Sequence, residues 1–298
     1  MQFTDIFLLI FIFFLIFYLN KKFKKYKSVY CSNGLDGVLY YFLNKNFATT
    51  GFNSFIDKKK YLLGKKIAKL TKQKVLFGPY SGTKFIDLHG WSKIDSAPKY
   101  LGTYEHQIQD EIVFLSKKFK LKYFVDLGAA EGYHLISLLK KKFFKRGLAY
   151  EIDEKSRRIL KKNSKINNVY NKIKIFEKAD FISLKKNLIY KELKKTCFLV
   201  DIEGNEYNLF TNEFCKYFSK SIFIVEDHNF NIKNKKLKNK FFKTIKKYFK
   251  IDTIKDISKN PFDINILENF SDDEKYLMLS EGRPKTMKWI LLSPKKNN

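Results

Sequence analysis

Apolar and polar residues alternate regularly from Leu101 onward, and the pattern predicts helices and strands in turn. Short apolar runs predict strands, and apolar positions three or four residues apart predict helices between them. The predicted helices are Tyr104–Phe119, Tyr133–Leu139 and Glu154–Asn163. The predicted strands are Tyr123–Leu127, Leu148–Ile152, Lys172–Phe176, Phe198–Ile202, Ile222–Val225 and Lys288–Leu292. Strands that are separated by helices imply an α/β fold with a parallel, doubly wound sheet.

The N-terminal region contains an unbroken apolar run, Ile6–Leu19, that approaches the roughly 17 residues needed to span a bilayer. A basic cluster follows it, at Lys21, Lys22, Lys24, Lys25 and Lys27. The segment before the run has no basic side chain and no small-residue cleavage site follows, which disfavours a secretory signal peptide. By the positive-inside rule, the chain after the run stays in the cytoplasm. We therefore predict a single-pass transmembrane helix, with a signal peptide or a buried helix as the alternative.

These patterns divide the chain into three parts. They are a membrane anchor with its basic flank at residues 1–27, an irregular N-terminal cap region at 28–100, and the main domain at 101–298. The clearest turn of the cap region is the run Gly78–Thr83. Near the C-terminus, Asn231–Lys250 combines lysines with apolar residues near helical spacing. We expect it to be a surface helix that covers the sheet and keeps its lysines in water.

Composition narrows the class of protein without deciding its partner. Of the 298 residues, 45% are hydrophobic, which is enough for a sizeable core and excludes a chain that is disordered overall. The formal net charge of +29 suits nucleic acid, anionic lipid or an acidic glycan, but lysines occur in nearly every segment, which favours compositional drift. The cysteines, at positions 31, 197 and 215, have no metal-site spacing and fit a reducing compartment.

The stretch Tyr123–His134, YFVDLGAAEGYH, predicts a ligand site. A strand that ends in Asp126 runs into a glycine turn and then directly into a helix, which is how a nucleotide-like cofactor is held against a parallel sheet. A dinucleotide site has G-x-G-x-x-G, whereas the run here is G-A-A-E-G and places Glu131 where a pyrophosphate would lie. A carboxylate there suits a cationic, phosphate-free centre, such as the sulfonium of S-adenosyl-L-methionine (SAM).

Acidic side chains follow the predicted strands where the strands end. Ligands of an open α/β sheet bind at these carboxyl ends. Glu151 can accept hydrogen bonds from both ribose hydroxyls, and Asp180 can accept one from an adenine amino group. The whole set is Asp126, Glu151, Asp153, Asp180, Asp201, Glu203, Glu206, Glu226 and Asp227, followed by His228. A net-basic protein does not gather acids at one edge by default, so this placement favours a cofactor site.

The motifs DLGAAEG, YEIDE, ADF and DIEGNE stand in an order that is similar to class I SAM-dependent methyltransferases. The segments VDIEGNEYNLF and IVEDH resemble the FkbM family in particular. The resemblance implies a Rossmann-like, seven-stranded sheet with an antiparallel last strand. It also implies methyl transfer to an oxygen, often on a sugar or glycan. One departure is Ile152, since family members usually have proline after the acid of the second strand.

The resemblance also implies which residues form the site. The cofactor-binding residues would be Asp126, Gly128, Ala129, Glu131, Gly132, Glu151, Ile152, Ala179 and Asp180. Methyl transfer is an in-line displacement in which the acceptor hydroxyl must lose its proton. The candidate bases are Asp201, Glu203 and His228. Asp201 and Glu203 could instead hold a divalent metal, because carboxylates are hard-oxygen ligands, but we predict a site without metal.

Two other classes of function remain open. An RNA or protein methyltransferase would account for the lysine excess, but no N/D-P-P-Y motif follows the fourth strand, so nucleic acid is the disfavoured partner. A non-catalytic, membrane-anchored binding protein would explain the anchor and the charge but not the series of cofactor contacts. We expect a small-molecule or glycan acceptor, and the anchor favours a lipid-linked glycan intermediate.

Overall fold

The computed structural model of the chain describes residues 55–90, 92–230, 232–255, 257, 259–283 and 286–295. The predicted anchor and its basic flank, together with residues 28–54 of the cap region, lie outside the described residues. The chain forms two compact units, residues 1–59 and 60–298. The boundaries at 27 and 100 stay predictions from the sequence. No described helix has the length and the apolar character that crossing a membrane would need.

Helices and strands alternate along the main part of the described chain. The α-helices are α1 (Phe55–Leu70), α2 (Ser96–Leu101), α3 (His106–Lys118), α4 (Tyr133–Lys140), α5 (Glu154–Ile166), α6 (Phe181–Asn187), α7 (Glu206–Leu209), α8 (Asn212–Tyr217), α9 (Lys235–Tyr248) and α10 (Asp272–Leu279). The strands are β1 (Tyr123–Leu127), β2 (Arg146–Tyr150), β3 (Ile173–Phe176), β4 (Thr196–Val200), β5 (Ile222–Glu226), β6 (Phe249–Lys255) and β7 (Lys288–Pro294). Short 3-10 helices lie at Tyr170–Lys172, Tyr190–Lys195, Pro261–Asp263 and Asn265–Leu267.

The strands form one seven-stranded sheet in the order β3-β2-β1-β4-β5-β7-β6. Strands β1 to β5 are parallel to one another, and β7 runs antiparallel to both β5 and β6. This confirms the seven-stranded Rossmann-like sheet with an antiparallel last strand. The strand order changes direction at β1 and β4, and the carboxyl ends of these two strands are the expected place for a ligand.

Successive side chains of a strand point to opposite faces of the sheet, and helices cover both faces. The sheet therefore lies between two hydrophobic cores. Phe124 belongs to a core that includes Leu135 and Ile136 of α4. Its neighbour Val125 belongs to a second core, which includes Phe214 of α8 and Phe241 of α9. Because both faces are covered, all five residues of β4 are buried.

The bounds of two strands, β2 and β4, differ from the predicted bounds. β2 and β4 each begin and end two residues earlier than the sequence predicted, because pairing starts at polar residues such as Arg146 and Thr196. The carbonyl of Tyr150 accepts the N–H groups of Gly128 and Ala129, which turns the chain at the end of the ladder. β6 was missed because it is an edge strand with mostly exposed or half-buried side chains and no apolar run.

The helix expected within Asn231–Lys250 is confirmed as α9, which buries Phe241 and Ile245. The described part of the cap region is more regular than expected. It contains α1 and α2, and an isolated β-bridge joins Lys74 to Lys84.

Candidate functional site

A cavity of about 440 Å³ opens at the carboxyl edge of the sheet, which is the edge where β1 to β5 end. The loops after β1, β2, β3 and β4 line it, and residues of α2 and of the α2–α3 loop close its other side. From the predicted site, the lining includes Asp126, Gly128, Ala129, Glu131, Glu151, Ile152, Ala179, Asp201 and Glu203. The predicted residues Gly132, Asp180 and His228 lie outside the lining.

The glycine turn after β1 uses two left-handed glycines for packing. Gly128 has φ +87°, and a Cβ there would lie 1.8 Å from the carbonyl oxygen of Asp201, so glycine lets the β1 and β4 loops touch. Gly132 caps the N-terminus of α4 with φ +86°, and its Cβ would meet Ile136 and Leu160. The main chain from Gly128 to Ala130 is thereby presented to the cavity.

Glu151 follows β2, and both of its carboxylate oxygens are held in place by backbone groups. The N–H of Ala130 donates to Oε2 at 2.8 Å, and the N–H of Asp153 donates to Oε1 at 2.8 Å. The side chain is buried, yet it lines the cavity. Each carboxylate oxygen keeps a lone pair for a further donor. The arrangement offers two adjacent acceptors in a fixed plane, which matches a pair of vicinal hydroxyls.

The residues after β3 are placed differently from one another. Ala179 lines the cavity, whereas Asp180 caps the N-terminus of α6 by accepting a hydrogen bond from the N–H of Ser183 at 2.9 Å. The cap occupies one carboxylate oxygen of Asp180. The role of Asp180 in holding an adenine therefore stays a prediction.

Glu131 is fully buried and paired, which differs from the free carboxylate that the sequence suggested. Lys99 of α2 donates to its Oε1 at 2.6 Å and also contacts Asp95 at 2.8 Å. Oε2 lies beside Gly90, where a Cβ would be only 2.7 Å away. Because Lys99 offsets its charge, Glu131 repels an anion less than the sequence argument assumed. Burial alone would lower the pKa of Lys99, but Asp95 and Glu131 raise it above the usual value.

His228 lies after β5 at the centre of a group of carboxylates. Its side chain is buried, and Nδ1 is 3.0 Å from Oε1 of Glu206. Nε2 is 3.4 Å from Oε2 of Glu226, and it faces Asp201 at 3.6 Å and Glu203 at 3.7 Å. Burial would lower the pKa of His228, but the hydrogen bond to Glu206 and the charge of Glu226 raise it overall. The structure thus brings the three predicted catalytic residues together.

Asp201 carries a strongly perturbed carboxyl group. Burial is the main cause that raises its pKa well above the usual value, and the neighbouring Glu226 adds to the rise. Its Oδ1 is buried and has no hydrogen-bond partner among the described residues. Two carboxyl groups at such close quarters do not both ionise readily, which is why the proximity of Glu226 acts in the same direction as burial on the pKa of Asp201.

Arg283 connects this group of carboxylates to Glu105 on the other side of the cavity, and no motif in the sequence indicated this residue. Its guanidinium donates to Glu105, to Glu226 and, at 2.8 Å, to Glu281. Glu105 also accepts from Nε2 of His134 at 3.0 Å. Burial would raise the pKa of Glu105, but Arg283 and His134 outweigh it and lower that pKa to about 2. Arg283 stands in a segment without a readable pattern, so a long-range contact of this kind has no local signal.

Asp201, Glu203 and His228 could also hold a metal ion. Each offers one ligand atom, and these atoms all lie within 4.8 Å of one another. Carboxylate and imidazole ligands suit a divalent cation. The contact of Nδ1 with Glu206 resembles the carboxylates that orient histidine ligands in metal sites. The same three side chains can therefore serve as proton acceptors or as metal ligands.

No protein-family model matches the sequence and no curated protein matches it, so the FkbM resemblance is not confirmed. Solved structures are similar in fold. The O-methyltransferase TomG from Streptomyces achromogenes, in complex with SAM, is 10% identical with TM-score 0.45, over 70% of this chain and 92% of that one. A putative O-methyltransferase from Klebsiella pneumoniae is 8% identical with TM-score 0.43, over 85% and 96%. The O-methyltransferase from Bacillus cereus, in complex with SAH, is 10% identical with TM-score 0.42, over 78% and 90%. Similarity at this level concerns the fold alone.

Proposed function

We propose that this chain is a SAM-dependent methyltransferase that methylates an oxygen of a small-molecule or glycan acceptor. The observation that carries the proposal is that one cavity joins two different kinds of site. Glu151 and the main chain of the glycine turn form a cradle for a nucleoside at one end. Asp201 and Glu203, backed by His228, supply groups that can take a proton at the other.

The residues around the cavity fit SAM. In the proposed arrangement Glu151 accepts the hydrogen bonds of both ribose hydroxyls, and Asp180 contacts the adenine. The main chain from Gly128 to Ala130 lies along the methionine part, with Asp126 close to it. When bound, SAM supplies a methyl group on a positively charged sulfur. The cavity volume of about 440 Å³ is within the range of small-molecule sites.

The chain's own residues would bind, orient and deprotonate the acceptor. Asp201 and Glu203 line the cavity, whereas His228 lies behind them, so the carboxylates are the direct partners of an acceptor hydroxyl. A base works best when its pKa is near the working pH, and burial beside Glu226 moves the pKa of Asp201 in that direction. His228, held by Glu206, acts as a positioning residue for both carboxylates.

Location and acceptor rest on the sequence alone. We infer from Ile6–Leu19 and the lysines after it that residues 1–27 anchor the protein in a membrane, with the catalytic domain in the cytoplasm. A lipid-linked glycan intermediate is the acceptor that such an anchor would favour. A preference for a soluble, unanchored sugar would contradict this choice of acceptor and leave the reaction type intact.

Calorimetric titration of the full-length protein with SAM, and separately with NAD, tests the proposal. We expect SAM to bind and NAD not to bind. Glu151→Ala should abolish the SAM heat, while the control Glu154→Ala, at an exposed position on α5, should retain it. The melting temperature of each variant shows whether it is folded. A folded protein that does not bind SAM would contradict the proposal and favour a non-catalytic binding protein with this fold.

A further inference from the structure

The edge of the sheet opposite the cavity is lined with basic residues. Strands β1 to β6 all begin at this amino edge, and β7 ends there, because Phe249 of β6 pairs with Pro294 of β7. Every strand has a lysine or arginine at or beside its end on this edge. These residues, which we name the basic edge, are Lys120, Lys122, Lys145, Arg146, Lys172, Lys194, Lys195, Lys220, Lys247, Lys250 and Lys295. All of them are exposed or half-buried.

Few charges of the basic edge are balanced by an ion pair with another described residue. In the part of the chain that the structure describes, Lys250 is the one member with an ion pair, to Asp252 at 3.2 Å. Glu192 precedes β4 at the same edge, and it accepts a hydrogen bond from the hydroxyl of Tyr123. The cavity at the other edge collects carboxylates instead, so the charge distribution is polarised along the strands.

The lysines at the centre of the basic edge crowd one another. β1 and β4 are neighbours, and the N–H of Lys122 donates to the carbonyl of Lys195 at 2.8 Å. Lys122 lowers the pKa of Lys195 more than any other cause, and Lys194 and Lys120 act in the same direction. Repulsion of this kind is unfavourable in the isolated chain, and an anionic partner would relieve it.

Exposed apolar side chains stand among these lysines. Phe119 precedes Lys120, Tyr170 precedes Lys172 by two residues, and Ile189 and Tyr190 lie in the segment before β4. Arginine is the residue favoured for the geometric recognition of nucleic acid, whereas lysine is a strongly hydrated point charge. Arg146 is the one arginine of the basic edge, so its composition does not favour nucleic acid. Lysines beside single apolar side chains fit a bilayer surface, where phosphates meet the ends of acyl chains.

We propose that the basic edge is a docking surface for an anionic phospholipid bilayer. In this orientation β1 is roughly perpendicular to the membrane plane. Its 5 residues, at about 3.3 Å each, place the cavity roughly 16 Å from the docking surface. The cavity then opens toward the aqueous side. A lipid-linked acceptor must consequently carry its reacting hydroxyl at least that far from the bilayer. The docking surface does not depend on the reaction that the cavity performs.

Vesicle sedimentation of the full-length protein tests the proposal. The vesicles are phosphatidylcholine alone or phosphatidylcholine with roughly one third phosphatidylserine, at physiological ionic strength. The readout is the ratio of the two affinities, because a predicted N-terminal anchor would contribute to both. The edge variant carries Lys→Glu at positions 120, 122, 194 and 195. The control carries Lys→Glu at 235, 236, 240 and 243 of α9, which are exposed and change the net charge equally.

We expect the wild type and the control to prefer the anionic vesicles, and the edge variant to lose on the order of a hundredfold in that preference. A Lys→Gln set at the same four positions serves if the Glu set does not fold, and it should lose most of the preference. An unchanged ratio in a folded edge variant, or an equal loss in the control, would overturn the proposal. A ratio that stays constant while binding to single-stranded RNA disappears would assign the basic edge to RNA instead.

Discussion

The two edges of the sheet differ in the sign, the burial and the pairing of their charged side chains. At the carboxyl edge, buried acids such as Glu131 and Glu226 are paired with Lys99, Arg283 and His228. At the amino edge, lysines are exposed or half-buried, and among the described residues Lys250 is the one member of the basic edge with an ion pair. Buried charges need partners because desolvation is costly, whereas exposed charges are stabilised by water. This difference in charge supports the two separate roles that we propose, which are methyl transfer in the cavity at one edge and contact with a bilayer at the other.

Removing one buried cation should have the largest effect on stability. Lys99→Met leaves Glu131 and Asp95 buried with an uncompensated charge, and we expect the free energy of unfolding to fall by about 3–5 kcal/mol. Urea denaturation measures the loss. The matched substitution at the amino edge, Lys195→Met, should change stability by no more than about 0.5 kcal/mol. Equal losses of unfolding free energy in the two variants would contradict the proposed difference between the buried and the exposed cations.

The carboxyl edge should also give stability a characteristic pH dependence. Burial raises the pKa of Asp126 from 3.8 to about 7, despite the opposing effect of His134. In the window between these two values the folded state keeps a proton that the unfolded state releases. The contribution of Asp126 is therefore most favourable at acidic pH, and it is lost as the pH rises through that window.

Asp126→Asn removes this titration, and the variant should become more stable relative to the wild type between pH 5 and pH 8 by up to about 2.5 kcal/mol, because roughly two pH units of the window lie between these values. Urea denaturation at the two pH values gives the difference. The exposed Glu154→Gln should show no such change. A constant difference between Asp126→Asn and the wild type at both pH values would contradict the raised pKa.

Asp201→Asn should lower turnover about a hundredfold, because the variant cannot take the acceptor's proton. SAM affinity should stay within a small factor, since Asp201 is assigned to the acceptor end of the cavity. A panel of sugars and glycans first identifies the acceptor that is methylated most. Normal turnover in the variant would remove Asp201 from the mechanism.

Chelation should have the smallest effect, and it decides between the two uses of the Asp201–Glu203–His228 group. We expect turnover to be unchanged after dialysis against EDTA, because the predicted site works without a metal. Loss of turnover that Mn²⁺ restores would instead make these residues metal ligands. In that case His228→Ala should lower the affinity for Mn²⁺.

Local patterns in the sequence were enough to predict six of the seven strands, and most of the predicted site residues line the cavity. DLGAAEG and the acids at the strand ends are each contained in a few consecutive residues, and the parallel fold brings them to one edge. The edge strand β6 was missed because its exposed side chains give no apolar run. The limits of β2 and β4 depended on hydrogen bonds to other loops, which the apolar pattern does not encode.

The neutralising partners could not be predicted in the same way. Lys99 lies 32 residues from Glu131 and Arg283 lies 57 residues from Glu226, and neither cation belongs to a motif. The sequence analysis consequently places the Glu131 carboxylate in the cavity without its partner Lys99. The basic edge was hidden for a similar reason, because lysines that look scattered along the sequence converge only when the strands are placed side by side.

A crystal structure of the protein with S-adenosylhomocysteine tests the central claim, that one cavity serves cofactor and acceptor, most directly. We expect both ribose hydroxyls at hydrogen-bond distance, about 2.7 Å, from the carboxylate of Glu151. We also expect the sulfur to face the space between Asp201 and Glu203. A ligand bound elsewhere, or one whose ribose does not contact Glu151, would contradict the account.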